Sequence, residues 1–333
     1  MTIKDIAREC GCAVGTVSRV LNNKDYVSDV TRQKVLDAVN RHGFVPNKNA
    51  KELRANSKTI AIIVKGISNI HLEGILEIIL SKLENYPYNA SVAVVDEYGN
   101  EAQRAYTVLC ERKPLGMIFL GGNPERYSEI FKFITIPCIL ISSEPERQEY
   151  ENLSSICTDD FQASLFIARY LIKNGHSKIG VIGGDLSHSD QAQQRYDGFM
   201  EAVGLAGLDF DFERQYASTR YSLEGGAAAA EELMKKFPEL TAIFAMSDTM
   251  AIGAVRKLRE MGYSVPDDIS VAGFDGLPIS EYYCPRITTV RQSKETLAVQ
   301  GLKALVSCIE KKSSAVHKMI PFEFIEGESV RKI

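Results

Sequence analysis

Residues 2–22 read TIKDIARECGCAVGTVSRVLN. Thr2 is a helix cap, with Asp5 three positions on as a short-armed capping box. Ile3, Ile6 and Ala7 then recur at helical spacing until Gly11 breaks the run. A second helix is expected from about Val14 to Leu21, with Val17, Val20 and Leu21 turned inward. Ser28 caps a third, whose apolar face is Val35, Leu36 and Val39 and which Gly43 closes. Three short helices within residues 2–42 make a very small core of helix-turn-helix type. Pro46 ends that unit. A fourth helical stretch is expected from Asn47 to about Arg54, followed by a linker, Ala55, Asn56 and Ser57. Eight residues are too few for a helix stable on its own, which needs about 12–15.

Beyond Thr59 the texture changes. Apolar, β-rich runs alternate with amphipathic helices: TIAIIV from Thr59, a helix near 71–84, ASVAVV from Ala90, a helix near 101–112, GMIFL from Gly116, a helix near 125–133, and PCILI from Pro137. The pattern restarts after Asp159: a helix near 161–173, KIGVIGG from Lys178, helices near 191–203 and 223–236, AIFAM from Ala242, a helix near 249–261, and ISVAGF from Ile269. Fully apolar strands between helices imply parallel sheets covered on both faces. Two such series predict two doubly wound lobes. Ligands in such sheets bind beyond the carboxyl ends of the strands, so two facing lobes form a cleft.

The 333 residues carry a net charge of −4, which argues against a globally basic binder. The charge is unevenly spread. Residues 1–58 hold 11 Lys/Arg against 6 Asp/Glu, and the remainder is acidic. A basic end on an acidic body suggests a polyanion-binding module joined to one that binds something else. No run of eighteen apolar residues spans a membrane, and no secretory signal opens the chain. Seven scattered cysteines form no disulfide framework and no C-x-x-C pair, which fits a reducing, cytoplasmic setting.

Enzyme chemistry is hard to find. The pairs Gly121–Gly122 and Gly183–Gly184 belong to no phosphate-binding motif and read as tight strand-exit turns. The five histidines lack metal-ligand spacing, and no nucleophile elbow or paired-carboxylate arrangement stands out. No catalytic residue, metal or cofactor is expected.

The run from Thr2 to Asn22 resembles the helix-turn-helix of the lactose-repressor/galactose-repressor (LacI/GalR) family, and the likeness continues through YVSDVTRQKVLDAV and HGFVPNKNAKELR. KNGHSKIGVIGG, SDTMAIGAVRKLREMG, VPDDISVAGFD and ITTVRQ resemble the family's effector domain. The resemblance implies an α/β protein: a three-helix head at residues 1–45, a hinge helix and linker at 46–58, then a body at 59–333. The body would be periplasmic-binding-protein-like, with two doubly wound lobes (approximately 59–158 with 291–318, and 159–290 with 319–333). DNA contacts then fall on Thr2, Val14, Gly15, Thr16, Ser18, Arg19 and Asn22. Arg19 suits a bidentate guanine contact, and Val14 a thymine methyl. Ala13 stands where the family usually has a capping Ser, so that cap is lost. Gly15 costs about 1 kcal/mol of helix propensity, for close approach to DNA or through drift. In the hinge, Asn47 is a cap, Lys48, Lys51 and Arg54 reach phosphates, Ala50 is a further DNA contact, and Leu53 wedges into the minor groove.

The family's cleft positions fall on Ser68, Asn69, Asp159, Arg195, Tyr221, Ser247, Asp248 and Asp275, a set suited to a polyhydroxylated ligand. His71 joins them: Ile70, His71 and Leu72 follow Asn69 where the family often has Pro and aromatics. Ser247 stands where Asn is common. Asp248 is alternatively a cap for the helix from Thr249, and Asp275 alternatively a brace for the lobe hinge. The resemblance implies a cytoplasmic homodimer on a near-palindromic DNA operator, most simply a repressor of carbohydrate-use genes answering to a sugar. Co-repressor or phosphoprotein control is the alternative, ahead of a receptor or an enzyme. No apolar heptads follow FEFIEGESVRKI, so a dimer is expected over a tetramer.

Overall fold

The computed structural model describes residues 3–21, 27–41, 58–66, 69–145 and 150–333, in two compact units, Met1–Ser57 and Lys58–Ile333. Thr2, Asn22, Gly43, Pro46, Asn47, Lys48, Ala50, Lys51, Leu53, Arg54 and Ser68 lie outside the described residues, as do the side chains of Ile3 and Leu21.

The first unit holds α1 (Ile3–Cys10), α2 (Val14–Leu21) and α3 (Asp29–Arg41). Ile6, Ala7, Cys10, Val17, Val20, Val35 and Ala38 are its buried core. Gly11 turns the chain between α1 and α2 at φ +64°, a left-handed conformation that suits glycine. Ser28 caps α3: its hydroxyl accepts from the Thr31 N–H at 3.4 Å. The inner face of α3 differs from expectation. Val35 and Ala38, one turn apart, are buried, while Leu36 and Val39 are only half-buried. Two eight-residue helices cover only a narrow stripe of a thirteen-residue partner.

In the second unit, six parallel strands form one sheet: β1 (Thr59–Lys65), β2 (Asn89–Val95), β3 (Gly116–Leu120), β4 (Cys138–Ile141), β5 (Leu153–Thr158) and β11 (His317–Ile320), in the order β11-β5-β4-β3-β1-β2. Strand alternation divides its side chains between two cores. Ile60, Ile62 and Val64 pack with α4 (Ile70–Leu83) and α13 (Lys294–Lys311), while Ala61 and Ile63 pack with α5 (Glu101–Arg112) and α6 (Ser128–Phe131). The second sheet, order β7-β6-β8-β9, comprises β6 (Ile179–Gly183), β7 (Tyr216–Ser218), β8 (Ala242–Ala245) and β9 (Ser270–Ala272). Here α7 (Asp160–Lys173) and α8 (Asp190–Leu205) cover one face, and α10 (Leu223–Lys236) and α11 (Asp248–Glu260) the other. Two short helices, α9 (Phe212–Gln215) and α12 (Pro278–Tyr282), and an antiparallel pair, β10 (Thr289–Arg291) with β12 (Glu323–Ile325), complete this lobe.

The chain crosses between lobes three times: from β5 into α7, from β10 into α13, and from β11 into β12. Ile320 still pairs with Thr158 and is buried in the first lobe's core, so the third crossing follows it rather than residue 318. Crossings bring the carboxyl ends of both sheets face to face, which creates the cleft.

Candidate functional site

In the first unit, α2 turns Val14, Gly15 and Arg19 outward, with Thr16 and Ser18 half-exposed beside them. Ala13 offers no capping side chain. Its carbonyl accepts from Thr16 N at 2.9 Å and Val17 N at 3.3 Å. A Cβ added to Gly15 would meet nothing within 4 Å, so the head's own packing does not require glycine there. An exposed helix start with one cation, hydroxyls and a small apolar residue has the make-up of a major-groove reader.

In the second unit, the cleft is lined by residues at or just beyond strand ends: Lys65 at the end of β1 with Asn69 and His71 after it, Glu97 and Tyr98 after β2, Asp185, His188, Ser189 and Gln191 after β6, Tyr221 after β7 and Asp275 after β9. Its open space is about 670 Å³, with the mouth and the adjoining solvent included. Asn69 caps α4, its Oδ1 accepting from His71 N at 3.1 Å and Leu72 N at 3.2 Å. That cap turns His71 inward. Neither imidazole nitrogen has a hydrogen-bond partner among the described residues. Burial first, then the nearby positive charges of Arg195 and Lys294, push its pKa down to about 3, so the ring is neutral.

Arg195 is the centre of a buried network. Its Nε donates to Asp160 at 2.8 Å, Nη1 donates to the Met246 carbonyl, and Nη2 lies 3.6 Å from Asp275. The guanidinium stacks 3.8 Å from the Phe274 ring. Burial opposes its charge, yet the two carboxylates outweigh burial and hold the pKa above the usual arginine value. Asp275 has a non-glycine backbone at φ +106°, a strained conformation of the kind that functional sites retain. Its N–H donates to Val290 O at 2.9 Å, and its carboxylate accepts from Gln292 at 2.8 Å. Asp275 therefore lines the cleft and also ties β9 to the second crossing. Burial raises its pKa to about 6, against the pull of Arg195. Tyr221 lies against Gly184, where a Cβ would come within 2.8 Å of its ring. Gly184 therefore leaves room for the aromatic wall.

Three expected residues are not in the cleft. Asp159 caps α7, accepting from Gln162 N at 2.9 Å, and faces a separate interlobe hollow. Ser247 caps α11, accepting from Met250 N at 3.1 Å. Asp248 is fully buried behind that cap, accepting from Leu277 N and from Thr289 Oγ1, both at 2.6 Å. Burial, then repulsion from Asp275, lifts its pKa to about 8. A helix start offers its first N–H groups to whichever polar residue precedes it, and Asp159 and Ser247 both spend a side-chain oxygen on that cap.

The sequence reading missed the rim. Arg220 grips Asp96 with both terminal nitrogens, at 2.9 and 3.3 Å, and stacks 4.9 Å from the Tyr98 ring. Tyr98 meets His188 edge-on, Tyr221 N donates to Glu97, and Gln191 donates to Ser142 O at 2.9 Å. Arg126 pairs with Asp190 at 2.7 Å. Each contact joins one lobe to the other. The signal was present: Asp96–Tyr98 and Asp185–Gln191 follow strands just as Asn69 does.

A family model described as bacterial regulatory proteins, lacI family, matches residues 2–47, and one described as a periplasmic binding protein-like domain matches 168–330. The transcriptional regulator MalR of Clostridium butyricum is 33% identical, over 99% of this chain and 99% of its own length. A probable transcriptional repressor, ExuR of Bacillus subtilis (strain 168), is 30% identical over 100% and 99%. Among solved structures, the transcriptional regulator CelR in complex with cellobiose has a TM-score of 0.73 and 26% identity, covering 99% of both chains. The lac repressor dimer bound to operator and the anti-inducer ONPF has a TM-score of 0.73 at 24% identity, again over 99% of both, and shares the fold. With an α-helical head and a two-lobed body matched end to end, the chain belongs to the lacI family of bacterial transcriptional regulators.

Proposed function

We propose that the protein is a homodimeric repressor of carbohydrate-use genes that binds a near-palindromic operator and answers to a sugar in the interlobe cleft. The observation that carries this is the interlobe cleft itself: strand-end polar groups, an Arg–carboxylate network and the Tyr221 wall, rimmed by contacts between lobes. A ligand that makes or breaks contacts across that rim couples binding to lobe angle, and the effect on DNA follows from differential affinity for two lobe arrangements. Val14, Gly15, Thr16, Ser18 and Arg19 read base edges and phosphates. Thr2, Asn22 and the 47–54 segment, with Leu53 as its wedge, complete the DNA contacts. Asn69, His71, Arg195, Tyr221 and Asp275 contact the effector, together with Ser68.

Anisotropy titration of the full chain on a library of labelled palindromes, with and without a panel of sugars, tests the proposal. Selective binding, with an affinity shifted tenfold or more by one sugar, is expected. Affinity indifferent to every sugar would refute the effector part. Undiminished site-selective binding by a chain lacking residues 1–57 would refute the DNA part.

A further inference from the structure

Given that reading of the cleft, we propose that its ligand is an uncharged mono- or disaccharide, that phosphorylated and carboxylated sugars are rejected, and that His71 reads one of the ligand's hydroxyls. No cation that lines the cleft is spare among the described residues; Lys294, near enough to act on His71 and Asp275, is not part of the lining. Two cations line it, Lys65 and Arg195, against three carboxylates, Glu97, Asp185 and Asp275. Lys65 is 3.1 Å from Glu101, a buried carboxylate. Arg195 is bound to Asp160 and the Met246 carbonyl and flanked by Asp275. At the rim, Arg220 is committed to Asp96 and Glu97. A phosphate or carboxylate entering here would have to draw a cation away from a buried protein carboxylate, leaving that group unpaired.

The two helix starts facing the cleft would ordinarily favour anions. Each already has a side-chain cap of its own. Asn69 takes two N–H groups of α4, and the Ser189 hydroxyl takes the Ala192 N–H of α8 at 3.2 Å. Glu97 adds to the bias, because burial raises its pKa and any further negative charge would raise it more.

His71 supplies the positive half of the argument. It is 3% exposed and lines the cleft, with both ring nitrogens unpartnered among the described residues. Buried polar atoms left unpaired are costly and call for a partner. The neutral ring has one donor and one acceptor. A hydroxyl, itself donor and acceptor, satisfies either nitrogen, whereas a phosphate or carboxylate oxygen satisfies only the donor. Arg195 and Lys294 nearby keep the ring from becoming the cation an anion would need.

Isothermal titration calorimetry on the full chain decides the matter, with glucose, ribose, maltose and cellobiose set against glucose 6-phosphate, ribose 5-phosphate and glucuronate. At least one neutral sugar should bind, and every charged sugar at least tenfold more weakly. His71→Leu should weaken the bound sugar tenfold or more. His71→Gln, which keeps a donor and an acceptor, should lose less, with melting curves verifying that both variants fold. A charged sugar binding as tightly as any neutral one overturns the inference while leaving the cleft an effector site. A folded chain that binds operator but no sugar of either class overturns both.

Discussion

Replacing Arg195 by Met removes the charge at the heart of the second lobe while nearly keeping its volume. Asp160, Asp275 and Arg195 are all less than 9% exposed, and the 2.8 Å contact to Asp160 is the tightest of the network's ion pairs. Removing one partner of a buried ion pair costs about 3–5 kcal/mol, much of it the burden of the charge left behind. That is a large part of a folding free energy of about 5–15 kcal/mol. The loss should depend on pH. Burial already raises the pKa of both carboxyls, and Arg195 is the main group holding them down. Without it both rise further above their unfolded value of about 4. A carboxyl whose folded pKa is raised gives stability that is complete below the unfolded pKa and drains as pH rises through the folded one. The deficit should therefore be about 3–5 kcal/mol at pH 7.5 and less than half of that at pH 4.5. Urea unfolding followed by circular dichroism reads it, since the chain has no tryptophan. An equal deficit at both pH values would refute the account of the network.

Gly15→Ala should favour α2 by up to about 1 kcal/mol of helix propensity, because a Cβ there meets nothing in the head. Operator affinity should nonetheless fall tenfold or more; unchanged or tighter binding in an anisotropy titration would show that DNA does not approach that position. Ser247→Ala should cost about 1 kcal/mol through the lost cap but leave sugar affinity within twofold, as read by calorimetry; a large loss would return Ser247 to the cleft. Asp248→Asn should gain melting temperature relative to the parent between pH 5 and pH 8.5, because the buried carboxyl, with its pKa near 8, sheds stability over that interval. A difference independent of pH contradicts this. Operator affinity should fall steeply as salt rises, since a head with more Lys and Arg than Asp and Glu releases counterions; a flat log–log plot counts against phosphate contact.

Much of the fold was legible because the elements that cover the sheets are long and periodic. Helices 101–112 and 223–236 and the strand Gly116–Leu120 lie where their apolar spacing put them. The elements that escaped are those whose pattern is set by distant partners. β5 reads LSSICT, too polar for a buried strand until its serines find Cys308, His317 and the Val316 N–H. β7, β10 and β12 are three residues each, too short to show a period. In the site, Asn69, His71, Arg195, Tyr221 and Asp275 line one cleft. Asp159, Ser247 and Asp248 do not, because a polar residue before a helix carries the same signature whether it serves a ligand or the helix. Only the surroundings tell them apart.

The three passages of chain between lobes bear on how the molecule comes to exist. The first sheet needs β11, and its outer helix α13 is drawn from residues 294–311. The second lobe borrows β12 from 323–325 and buries Ser329. Neither half can be finished from a contiguous stretch, so a ribosome must deliver residue 320 before the first half closes and residue 329 before the second. Until then the growing polypeptide exposes an unfilled groove beside β5, and both halves should lock together, late, as one event rather than in order of synthesis.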